Sequence, residues 1–312
     1  MDNQNLMRNS NEKQDFKKVC IIPESEYNDM YDRAAIQKSV RWPLFYTIKI
    51  KFLNGQEWQH AWIKKIVDEQ IAPLIYPNLF IKFVKNDEYA DVKIEFMYNG
   101  IYGASLIGTK CRDTPQNKPS MIFNGNALDT PLSGFFEYNS KIYQVPKSAN
   151  ESDDPNGNGA VIKHEFGHVF GKWHEHQNPI DNPIKWNVSK VLKKYMSQPP
   201  PPYWTRQETY NNIINKLSMN DVDATPFDAQ SIMMYPIDAS ITKNNVGFDK
   251  TYDYSPMDIE WLKYHSVDPQ LDVTSFGQND GSTGFGFKWW YIFLVAIIII
   301  TIFLLVKFFR RK

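Results

Sequence analysis

The chain has 312 residues, 42% hydrophobic and 15% aromatic, which is material for one sizeable folded domain with appendages. Lysine plus arginine and aspartate plus glutamate each number 35, so the basic excess left by nucleic-acid binding is missing and the composition argues against a nucleic-acid partner. Cys20 and Cys111 are too few for the disulfide framework of a small secreted scaffold.

Residues 1–40 read as a polar arm without the apolar stretch of a signal peptide. Beyond it the pattern is that of a mixed α/β (α+β) domain. "FYTIKIKFL" alternates Ile48, Ile50 and Phe52 against Lys49 and Lys51, and "ADVKIEFM" alternates Val92, Ile94 and Phe96 against Lys93 and Glu95. Both predict strands with one wet face. "LFIKFVK" at 79–85 and "PSMIFN" at 119–124 predict two more. Between the first two strands, Trp58, Trp62, Ile63, Ile66, Val67 and Ile71 recur at helical spacing and predict a long helix laid on the sheet. Residues 125–158 are rich in Asn, Ser, Gly, Asp and Pro and predict irregular loops.

Apolar periodicity returns at "GAVIKHEFGHVFGKWHEH", where Asn156 or Asn158 is available as a helix N-cap. On a helix His164 and His168, four residues apart, project from one side and can grip one ion. Gly171 can take the left-handed conformation that ends a helix and swings His174 back under the metal. A catalytic zinc needs three protein ligands and one open position for water, so His164, His168 and His174 predict a Zn2+ site. Glu165, beside His164, is placed as general base toward the zinc-bound water. A bare H-E-x-x-H arises by chance in on the order of one chain in a hundred, and the added Gly and His lower this by roughly a thousandfold. His176 has no role in this scheme and reads as a surface histidine; His60 and His265 read as structural or exposed.

The pattern H-E-x-x-H-x-x-G-x-x-H resembles the zinc signature of the metzincin peptidases. Glu175 after the third histidine and "SIMMYP" at 231–236 look like the astacin-like branch, closest to its bacterial type. The resemblance covers roughly residues 41 to 265. It implies a metzincin-like catalytic domain with a twisted mixed sheet, a long packing helix, an active-site helix and a C-terminal helix. It further implies Met233 as the apolar floor beneath the zinc, Tyr235 as a phenol that stabilises the oxyanion, and "PSMIFN" as the edge strand along which an extended peptide lies. Ser255 with Asp258 and Pro256 predicts the start of the C-terminal helix on local grounds as well. Two departures stand out: the run after the third histidine is "QNPIDNP", and the domain disulfides of animal astacins cannot form from two cysteines. Glu175 meets a processed N-terminus in mature astacins, and its partner here is left open.

Residues 266–287 read as a flexible linker, 288–306 as a transmembrane helix and 307–312 as a basic tail. "WWYIFLVAIIIITIFLLV" at 289–306 carries no charge over 18 residues, with aromatics at one end and Lys307, Arg310, Arg311 and Lys312 at the other. The reading is therefore a single-pass protein with a C-terminal anchor, in a viral or host membrane, whose partners are the lipid bilayer and a peptide or protein substrate. Its predicted activity is that of a zinc-dependent endopeptidase. A tethered structural or binding protein with a silent zinc site, and a zinc hydrolase of non-peptide amides, are the competing readings.

Overall fold

The computed structural model describes residues 40–276 apart from 99–102, 127, 129–132, 147–156, 198–203 and 221. The chain divides into two units, Met1–Val273 and Thr274–Lys312, and the elements below belong to the first, apart from the end of a last turn at Val273–Phe276. Residues 1–39 of the arm, residues 277–287 of the linker and the apolar segment 289–306 lie outside the described residues; the start of the predicted linker is not free chain, since Val267–Asp268 pairs with Trp42–Pro43. Among the described residues no helix is long and apolar enough to cross a membrane.

A short strand β1 (Trp42–Pro43) leads into β2 (Tyr46–Phe52). Helix α1 (Glu57–Ile66) follows and runs through a π-helical turn (Val67–Ile71) into α2 (Ala72–Ile75). The predicted long helix is thus one helical path with a wide turn in it. Pro73, at the start of α2, brings no backbone N–H, and the π turn before it absorbs that break in the hydrogen-bond ladder. Then come β3 (Leu79–Phe83), β4 (Val92–Met97), β5 (Gly103–Ser105) and β6 (Met121–Asn124).

These strands form one sheet in the order β3-β2-β4-β6-β5. All neighbours are parallel except β5, which pairs antiparallel with β6. Two expectations change here. "PSMIFN" is an inner strand, and the edge is β5, formed by Gly103–Ser105. The second face of the central strands, moreover, is only partly wet: Lys51 and Lys93 are buried on it while Lys49 and Glu95 are half-buried, because a mostly parallel sheet is largely covered on both sides. Their ammonium groups are satisfied by carbonyls, Lys51 by Asn86 and Glu88 and Lys93 by Asp91 and Cys111.

Residues 125–158 are not wholly irregular either. Strands β7 (Phe135–Tyr138) and β8 (Lys141–Gln144) form a hairpin closed by Asn139 and Ser140, both at positive φ, as a two-residue type I′ turn requires. Phe136 anchors it on Trp62 of α1, ring centroids 5.0 Å apart.

The second half is mostly helical: α3 (Ala160–Val169), α4 (Val188–Met196), α5 (Arg206–Thr209) and α6 (Pro256–Tyr264), closed by β9 (Val267–Asp268) pairing with β1. Helix α6 starts as predicted: Ser255 Oγ accepts from the Asp258 N–H, and the Asp258 carboxylate accepts from the Ser255 N–H. A second apolar cluster, with Trp186, Trp204, Ile213, Met234 and Tyr235 among its members, lies beneath the region where the histidines gather.

Candidate metal centre

The N-cap position of helix α3 does not fall on Asn158. Its N-cap is Gly159, at φ +72°, packed so close to α1 that a Cβ there would lie 2.9 Å from Ile66 Cγ1. The far end follows the sequence reading. Gly171 sits at φ +91°, the Gly171 N–H donates to the His168 carbonyl at 2.8 Å, and the Lys172 N–H donates to the Gly167 carbonyl at 2.9 Å. These two bonds are the paired closure of a Schellman turn. The chain doubles back there, and the ring of His174 comes to 4.6 Å from that of His168 and 5.3 Å from that of His164.

One nitrogen from each of His164, His168 and His174 lies within 4.8 Å of the others. Two of the rings are aimed by main chain: His164 Nδ1 is 2.8 Å from the Ile232 carbonyl and His168 Nδ1 is 2.8 Å from the Lys172 carbonyl. A carbonyl only accepts, so both Nδ1 atoms carry the proton and both Nε2 atoms present a lone pair. His168 and His174 face each other Nε2 to Nε2 at 3.1 Å, and His164 Nε2 is buried with no hydrogen-bond partner. Loss of water pushes the pKa of all three in one direction, that of His164 down to about 4, that of His168 down to about 3 and that of His174 well below the ordinary histidine value. Neutral imidazoles with converging lone pairs, one orphaned in the interior, fit a divalent zinc-like ion.

Glu165, next to the first histidine, is fully buried and lies against the sheet edge. A Cβ at Gly103 of β5 would sit 2.4 Å from its Oε1, so this close approach depends on glycine at position 103. A recess opens beside the pair, lined by Val161, His164, Glu165, Ile232, Tyr235 and Thr251. Met233 is fully buried under α3, where a Cβ at Gly167 would meet its sulfur at 2.4 Å. Tyr235 packs its ring 4.2 Å from that of His174. The three histidines, Glu165, Met233 and Tyr235 therefore come to this one place, whereas Gly171 and Glu175 line a separate recess.

Glu175 has its partners within the fold: Oε1 accepts from Asn178 Nδ2 at 2.6 Å and from the Asp228 N–H at 2.9 Å, and burial pushes its pKa up to about 7. Its own N–H donates to the Met233 carbonyl, tying the segment after the third histidine to the turn below it. His176 is not at the surface. It is 1% exposed, its Nε2 is 2.8 Å from the Asn212 carbonyl, and its ring stacks on Tyr235 at 4.6 Å. Nothing local marks it as buried, because Asn212 arrives from 36 residues downstream. His60 and His265 take the expected roles, the first half-buried and stacked on Phe52, the second exposed.

Fold and site together define a mixed α/β domain, built on a five-stranded and mostly parallel sheet, that carries a three-histidine group able to hold a metal ion. No protein-family model matches the chain, and no curated protein does. Among solved structures, "Structure of myroilysin" shares the fold at a TM-score of 0.56 and 24% identity, over 73% of this chain and 95% of that one. "Crystal structure of myroilysin" gives 0.47 and 23%, over 78% and 96% respectively.

Proposed function

We propose that the chain is a zinc endopeptidase of the astacin-like metzincin type, held at a membrane through residues 288–306. The observation that carries this reading is the convergence of three neutral imidazoles on one point beside a buried glutamate. The fold shared with the metallopeptidase myroilysin supports it. His164, His168 and His174 would hold the ion, which when bound polarises a carbonyl and acidifies water. Glu165 takes the proton of the attacking water and then gives it to the leaving amine. Tyr235, packed on His174, donates its phenol hydrogen to the oxyanion that forms on the substrate. An extended peptide pairs with the outer edge of β5, the antiparallel border of the sheet nearest Glu165.

The direct test is zinc content together with cleavage of an unfolded protein, with and without chelator. Stoichiometric zinc with cleavage that the chelator stops and added zinc restores is the expected result. Zinc without cleavage of any peptide would instead favour a silent structural site or a non-peptide amide as substrate.

Gly103→Ala tests the edge strand. The methyl group forces either the Glu165 carboxylate or β5 to move, and a misplacement of that size costs up to ~10²-fold in turnover. The expected outcome is a fall in kcat with zinc content unchanged. Unaltered kcat would separate Glu165 from the chemistry.

A further inference from the structure

We propose that Asp258, on α6 and outside the zinc motif, is a positioning residue for the metal centre: one buried carboxylate fixes both backbone carbonyls that aim His164 and His168. The inference rests on the zinc reading above. Asp258 Oδ2 accepts from the Ile232 N–H at 2.7 Å, and the carbonyl of Ile232 receives His164 Nδ1. Asp258 Oδ1 lies 2.7 Å from Lys172 Nζ, and the carbonyl of Lys172 receives His168 Nδ1. Ser231 Oγ donates to the same Oδ1 at 2.7 Å and accepts from the Met233 N–H at 3.1 Å, so the turn beneath the histidines hangs on it too. Asp258 is fully buried and Lys172 is 8% exposed.

The arrangement needs a carboxylate. Both oxygens receive donors, so an amide in the same place must turn its NH2 toward either Lys172 Nζ or the Ile232 N–H. Either choice sets donor against donor and releases one of the two carbonyls. The ring it aims then loses its fixed tautomer and direction, which is how partners behind a ligand set metal affinity. Loss of an ion pair that served folding alone would lower stability and leave the affinity of the folded site unchanged.

The experiment compares zinc affinity, by chelator competition on the full-length chain in mild detergent, for the unaltered protein, Asp258→Asn and Ile48→Ala. Ile48 is buried in β2 and serves as a stability control remote from the histidines. Measurements are made where thermal unfolding shows each variant folded. Asp258→Asn is expected to weaken zinc binding about tenfold, at the low end for residues behind a metal ligand because it acts through main chain. Ile48→Ala is expected to lower Tm without changing affinity. Equal affinity in Asp258→Asn, or an equal loss in Ile48→Ala, overturns the proposal. Should Asp258→Asn fail to fold, Ser231→Ala removes one of its bonds and is read in the same way. If the unaltered chain binds no zinc, the peptidase reading falls as well; zinc held equally by both proteins removes only the role of Asp258.

Discussion

Glu165→Gln is expected to keep stoichiometric zinc and to cleave peptide ~10²–10⁴-fold more slowly than the unaltered chain, the range removed with a general base. The amide has the shape of the carboxylate and fills the same space against Gly103, so neither fold nor metal site should change. What it lacks is the capacity to take a proton. The expected signature is therefore a drop in kcat, with KM and zinc content preserved. Cleavage at the unaltered rate would remove Glu165 from the reaction and leave the three histidines as an isolated zinc site.

His168→Ala is expected to empty the site. His168 is fully buried and centrally placed, facing His174 at 3.1 Å and held by the Lys172 carbonyl. A structural zinc site with four ligands binds with about 10–16 kcal/mol, so one ligand is worth about 2.5–4 kcal/mol, or ~10²–10³-fold in affinity. Truncation also leaves the Lys172 carbonyl without its donor and opens a void in the buried site. Zinc measured after dialysis should fall below stoichiometric, and cleavage should fall with it. Because the loss is one of metal, excess zinc should recover part of the activity, whereas it should recover none in Glu165→Gln. Full zinc retention by His168→Ala would show that the ion is held elsewhere.

The site was legible in the sequence because its parts are local. The spacing of His164 and His168 follows from the helical repeat, and the return of His174 follows from a glycine that can adopt positive φ. The four strands, the long helix and the cap of α6 were legible for the same reason, each resting on periodicity or on contacts within a few residues. The hairpin at 135–144 escaped notice because its strands are four residues long and its turn, Asn139-Ser140, lacks the usual glycine. Burial of Lys51, Lys93 and His176 escaped it because each depends on what covers the residue, which periodicity does not record.

By itself, then, the sequence determined the kinds of element and which three histidines would gather, since these depend on short-range geometry and on the chemistry of each side chain. Only the tertiary structure decided which strand forms the edge, how Gly103 crowds Glu165, and where the imidazoles find their acceptors. Those acceptors, the carbonyls of Ile232 and Lys172, join through Asp258 on a helix some ninety residues beyond the zinc motif. Such a link exists only once the chain has folded, because a hydrogen bond specifies a distance in space and leaves no spacing along the sequence.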